Sequence, residues 1–215
     1  MKIVDKITVE DTGDFALITE RMLDIPAEPI SCINWKKEFP SAPKVSFKIA
    51  HNGSHLFLQY FVEEDEILAL TDKDNGPVWT DSCVEFFISF GQSPYYYNLE
   101  CSCIGKALFG YRTGRHDCVH GNAQVMDSIK RYSTLGDKPF DKKKGDFKWS
   151  LIEVIPAKAF WNSDIKSFDG MEVKANAYKC GDGLTVPHFL TWKPIETSSP
   201  DFHVPQFFYN LRFES

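Results

Sequence analysis

Residues 76–90 read GPVWTDSCVEFFISF. The stretch starts at a Gly-Pro turn, shows an indole, then alternates polar and apolar residues before closing on Phe and Ile. Side chains on a strand point to opposite faces in turn. Ser82, Val84 and Phe86 therefore share one face, and Asp81, Cys83 and Glu85 share the other. The apolar set is the natural core face. The second set is expected to face water or a cleft, with its two acids ~7 Å apart along the strand.

The same grammar repeats along the chain. KVSFKIAHNGSHLFLQYFVEE (44–64) is two β runs around Asn52-Gly53, a pair that tolerates positive φ and marks a hairpin. SPYYYNLECSCIGKALFGYR (93–112) is two more strands that turn at Gly105. FKWSLIEVIP (147–156), GMEVKANAYKC (170–180), PHFLTW (187–192) and PQFFYNLRFES (205–215) continue the series. AKAFWNSDI (157–165) is read as a short helix, and DKKKGDFK (141–148) as a solvated hairpin turn. No long amphipathic helix separates the strands, which argues against a parallel βαβ fold. The expectation is one domain over residues 1–215, an all-β, jelly-roll-like antiparallel sandwich with at most two short helices.

Composition narrows the function. The 215 residues carry a net charge of −6, so a nucleic-acid footprint is not expected. No apolar run approaches the ~20 residues of a membrane span. MKIVDKITVEDTGDF (1–15) lacks a signal-peptide core, so a cytoplasmic location is expected unless a leader was removed. The six cysteines are not spaced as a small disulfide scaffold, and Cys83 and Cys101 are expected as buried thiols. Aromatics at 14 % suit a sandwich core, and also a surface that stacks on flat ligands.

Trp79 sits where a loop enters a strand. Its plain reading is a tryptophan at the edge of the core. Its functional reading is a platform for the C–H face of a pyranose, with nearby carboxylates accepting from sugar hydroxyls. Trp192 closes a strand before a proline-rich loop and would supply the second wall of a slot. Asp81 and Glu85 also allow a hydrolase reading, since paired carboxylates cleave glycosidic bonds. RHDCVH (115–120) offers His116, Cys118 and His120 as an alternating metal set with Cys101 and Cys103 in reach, against no common zinc spacing. TDKDNGPVWTD (71–81) partly mimics a calcium loop through Asp72, Asp74 and Asn75, without the later bidentate acid.

Taken in order, VWTDSCVEFFISF, YYYNLECSCIGKALFGY, WSLIEVIP, PHFLTWKPI and PDFHVPQFFYNLRF resemble the family 9 carbohydrate-binding modules, in their stand-alone bacterial branch. The resemblance runs from about Trp35 to Phe213. It implies a non-catalytic sandwich in which two tryptophans, matched by Trp79 and Trp192, clamp the terminal sugar of a plant-type glycan. Glu85 matches the family's acid within the strand. Asn98 and Glu100 fall at its polar pair on the next strand, where arginine is usual at the first position. The resemblance also implies a structural calcium and a role in polysaccharide catabolism. The partners it implies are an oligosaccharide or polysaccharide chain end and a glycoside hydrolase encoded elsewhere. Related sandwiches bind haem through Met with His or Lys. Met126, Met171, His116, His120 and His188 are the residues available for that rival.

Overall fold

The computed structural model describes residues 1–215. In chain order the strands are β1 (Lys2–Lys6), β2 (Glu28–Pro29), β3 (Lys44–His51), β4 (His55–Ala69), β5 (Cys83–Phe90), β6 (Tyr96–Ser102) and β7 (Ala107–Arg112). They continue as β8 (Val119–His120), β9 (Lys130–Ser133), β10 (Phe140–Pro156), β11 (Glu172–Cys180), β12 (Phe189–Thr191) and β13 (Tyr209–Phe213). Two α-helices join them, α1 (Phe15–Arg21) and α2 (Ala123–Ser128).

The strands run β8-β7-β6-β5-β11-β13-β1-β3-β4-β10-β9, with β12 on β11 and β2 on β3. β1 is the seam. It pairs in parallel with β13 on one side and with β3 on the other, while all remaining pairs are antiparallel. The sheet curls at β1 into two layers, and the main core lies between them. Val84, Phe86 and Ile88 of β5 point into this core, opposite Phe47, Leu58 and Leu151 of the other layer. The face of β5 bearing Val84 and Phe86 is thus the core face the alternation predicts.

The opposite face of β5 is not open to water. Cys83 and Phe87 form a second core with Trp35, Tyr178, Ile195, Phe202 and Phe208, brought over the sheet by irregular segments. The proline-rich loop is pinned there. Trp35 Nε1 donates to Thr197 O at 3.0 Å, and the Phe202 ring stacks on Tyr178 at 4.3 Å.

Three local expectations are corrected. DKKKGDFK is not a turn but the first half of β10, which lies along the acidic stretch of β4 with two irregularities in register. Lys148 pairs with Glu63 at 3.0 Å and Lys144 approaches Glu66 at 3.9 Å, so cross-strand charge keeps this segment extended. AKAFWNSDI gives only a 3-10 turn over Ala157–Ala159. At the β3–β4 hairpin only Gly53 takes positive φ, at 85°. Asn52 works through its side chain, whose Oδ1 accepts from the amides of Ser54 and His55.

The helix over Phe15–Arg21 has a clear local cause. The Asp14 carboxylate accepts from the amides of Ala16 and Leu17, capping the first turn. Ile18 and Met22, four residues apart, bury against Ala50, Phe57 and Val154 on the outer face of the second layer. All six cysteines are free thiols, and Cys83 and Cys101 are buried as expected.

Candidate functional site

A cleft of 570 Å³ opens over the outer face of β5, β6 and β11. Trp79, on a 3-10 turn just before β5, forms part of its wall and is 39 % exposed. The other tryptophans are buried or half-buried. Phe189, Pro200 and Phe202 line the same cleft from β12 and the loop beyond it. Glu85, Glu100 and Cys180 form the floor, and Arg112, Arg115, Asp182 and His203 complete the polar lining.

The floor is set by register. Glu85 on β5 stands opposite Glu100 on β6 and opposite Tyr178 on β11. Burial, reinforced by the neighbouring Glu100 charge, holds the Glu85 carboxyl well above the ordinary range. Burial also raises Glu100, opposed by the Arg112 charge and by the Asn98 amide that donates to Oε1 at 2.7 Å. Burial thus favours the protonated form of Glu85, which can both donate and accept. Asp182 is pushed up to about 6 by burial. His203 is held down to about 3 by burial and the nearby Arg112 and Arg115 charges, so it is a neutral imidazole bonded to the Tyr96 hydroxyl at 2.9 Å.

Arg112 is the buried cation of the site. It is only 6 % exposed, its Nε has no partner, and its Nη1 donates to Arg115 O at 3.2 Å. The expected arginine position on β6 holds Asn98, which pairs in register with Gly110 of β7. A Cβ on Gly110 would meet Asn98 Oδ1 at 2.5 Å and Cys118 Sγ at 2.5 Å. Glycine there leaves room for the amide, and the guanidinium comes from two residues further along β7. A strand that ends in a lone arginine, on the face of Leu108 and Gly110, was the available sign of this.

The six expected sugar-binding residues separate. Trp79, Glu85 and Glu100 share the cleft. Asn98 is fully buried behind Glu100 and orients its carboxyl. Asp81 is also fully buried, and its carboxylate accepts from the amides of Leu70 at 2.9 Å and Thr71 at 3.0 Å. It ties off the end of β4 and does not reach the cleft, so no Asp81/Glu85 catalytic pair exists. Asp81→Ala is expected to cost about 2 kcal/mol of stability by stranding two amides, read as a lower urea midpoint.

Trp192 is the larger correction. It is 4 % exposed and belongs to the main core, edge-on to Phe47 at 5.3 Å, with Nε1 donating to Glu28 Oε2 at 3.0 Å. The cause is strand parity. Leu190 and Trp192 point between the layers, while Phe189 and Thr191 point outward. Phe189, not Trp192, is the aromatic that β12 gives to the cleft.

The other metal and haem expectations do not assemble. Asp74 is held bidentately by Arg131 at 2.8 and 2.9 Å, and the Asn75 side chain bonds Gly121 O and Phe109 N. Asp74 and Asn75 are thus engaged by other residues, and of the three expected donors only Asp72 stays exposed. Only Val119–His120 of RHDCVH is strand, so His116, Cys118 and His120 do not form an alternating set, and Cys101 and Cys103 lie in the main core. Met126 and Met171 pack on the main core, and His188 Nε2 accepts from Lys179.

A second hollow, of 620 Å³, lies along β4 and β10. It is walled mostly by lysines and acids, several of them paired, as in Lys44–Glu63 and Lys148–Glu63, and its one phenyl ring, Phe147, is half-buried. The cleft beside Trp79 is the better candidate because it joins an exposed ring to unpaired polar groups.

Comparison with known proteins agrees with this architecture. The model of carbohydrate-binding family 9 matches residues 14–213, and the chain belongs to that family. A candidate carbohydrate-binding protein from Bacteroides uniformis has a crystal structure similar to this chain, with 39 % identity and a TM-score of 0.95. That match covers 99 % of this chain and 98 % of the other. A family 9 module from Caldicellulosiruptor kristjanssonii, solved with cellotriose, matches with 8 % identity and a TM-score of 0.60 over 99 % of this chain and 93 % of that one. A family 9 module from the same organism, in complex with glucose, matches at 8 % identity with a TM-score of 0.55, over 99 % of this chain and 94 % of that one. No curated protein sequence matches the chain.

Proposed function

We propose that the cleft binds a terminal sugar ring of a glycan without cleaving it. Trp79 offers its indole to the C–H face of a pyranose. Glu85, Glu100 and Arg112 take the hydroxyls, and Phe189 and Phe202 replace Trp192 as the remaining apolar lining. The observation that carries this reading is the meeting, in one cleft, of an exposed indole with a buried carboxyl and a buried guanidinium whose Nε has no partner. That is the mixture a sugar needs, apolar on one face and hydroxylated at its edges. The cleft volume falls within the range of small-ligand sites and admits a hexose. Family membership supports the same reading, and the glucose and cellotriose bound by its fold neighbours make glucose-type sugars the first to test.

With one stacking ring, affinity for a mono- or disaccharide is expected in the range of roughly micromolar to millimolar. Titration calorimetry with glucose, cellobiose, xylobiose, mannobiose and galactose measures it. Trp79→Ala is expected to weaken the best ligand by about 2 kcal/mol, or about thirtyfold. Equal affinity in wild type and Trp79→Ala would remove the stacking role, and no binding of any of the five sugars would sink the assignment.

A further inference from the structure

Sugar recognition leaves two thiols without a task, one in the cleft floor and one behind it. Cys83 and Cys180 stand directly opposite each other across β5 and β11. Glu85 lies two residues along β5, on the same face. The three donor atoms all fall within 4.8 Å of one another, and Cys180 Sγ is 3.0 Å from Glu85 Oε1. All three residues are buried, and both sulfurs are free thiols. Nowhere else in the chain do three such donors converge.

We propose that Cys83, Cys180 and Glu85 form a site for a thiophilic divalent cation of the zinc class, with its fourth position open to the cleft. The donor set selects the metal. Two sulfurs and one carboxylate suit zinc or cadmium, whereas calcium and magnesium require mostly oxygen. The spacing suits it too. Tetrahedral zinc with ~2.3 Å bonds to sulfur places its ligands ~3.5–3.8 Å apart, so the longest separation in the trio contracts by about 1 Å or less and the 3.0 Å Cys180–Glu85 contact opens by about half an ångström. Glu85 and Cys180 line the cleft and give the ion its entry, while Cys83 sits behind them. Two thiolates, a carboxylate and a dication leave one negative charge, and Arg112 lines the same cleft to offset it. Binding displaces the two thiol protons to solvent, with the carboxylate as the third ligand, and no oxidation is involved.

Titration of the reduced protein with zinc chloride, and separately with cadmium chloride, tests the site without any sugar. One zinc per chain is expected, with a micromolar or tighter dissociation constant, together with an ultraviolet thiolate-to-cadmium charge-transfer band. Cys180→Ser is expected to weaken zinc at least a hundredfold and to abolish the band. Cys103→Ser, which removes a buried thiol outside the trio, is expected to leave both unchanged. Absence of the band in wild-type protein whose six thiols titrate as free in denaturant overturns the proposal, whether or not the serine variants fold. Zinc binding that persists in folded Cys83→Ser/Cys180→Ser protein overturns it equally. The site stands on its own geometry, so a protein that binds cadmium but none of the sugars refutes the sugar assignment alone.

Discussion

Lys179→Met is expected to lower the unfolding free energy by about 3–5 kcal/mol. The Lys179 ammonium is fully buried and has three partners. It donates to Cys180 O at 2.9 Å and His188 Nε2 at 2.8 Å, and pairs with Glu64 Oε2 at 3.0 Å. Glu64 lies on β4, in the opposite layer, and its other oxygen accepts from Trp149 Nε1 at 2.7 Å. The ion pair thus ties the two layers together beside the main core. His188 can accept because burial, aided by the Lys179 charge, holds its imidazole down to about 2. Removing the ammonium strands a carboxylate whose solvation was surrendered on folding. The double variant Lys179→Met/Glu64→Gln is expected to recover more than half of the loss, because the amide carbonyl still accepts from Trp149. Urea denaturation at neutral pH reads both, and a loss under 1 kcal/mol in the single variant would contradict the buried pair.

Glu153→Gln is expected to act in the opposite direction. Glu153 is 1 % exposed, and neither carboxyl oxygen has a hydrogen-bond partner. It faces the core between the Cys101 thiol and the Tyr60 hydroxyl, which is also unpartnered. Arg131 lies near but is committed to Asp74. Burial pushes Glu153 up to about 8, against the Cys101 contact and the Arg131 charge. Its folded value is thus above the unfolded 4.5, so its contribution is complete below that pH and is lost progressively as pH rises to about 8. The difference in stability between Glu153→Gln and wild type is expected to grow in favour of the variant by about 4 kcal/mol from pH 4.5 to pH 8, then level off. Other groups titrate in both proteins and cancel in that difference. A difference curve that stays flat across this window would show that the acid is already ionised in the fold.

The course of each strand was legible where local chemistry decided it. Alternation in DSCVEFF placed Val84 and Phe86 in the core, and Gly53 and Gly105 marked turns that the fold uses. What failed was a matter of long-range partners. The lysines of DKKKGDFK looked like a turn because the acids that hold them extended lie some 80 residues earlier, on β4. Asp81 looked like a ligand group because the amides it caps belong to another strand's end. Trp192 could have been placed by the same alternation that placed Val84, since Phe189 and Trp192 cannot share a face. Arg112 was missed because its role depends on β7 lying beside β6 with a glycine at the contact, a pairing that no single strand displays.

The parallel seam at β1 has a kinetic consequence. Val4 lies beside Phe213 in that ladder, more than two hundred positions away along the chain, and the layers cannot close before the two segments meet. Phe202 and His203 reach the cleft on the segment that leads into β13. The recognition surface therefore takes shape only as the loop of greatest contour length shuts, which makes competence for ligand a late event in folding and a sensitive reporter of whether closure has occurred.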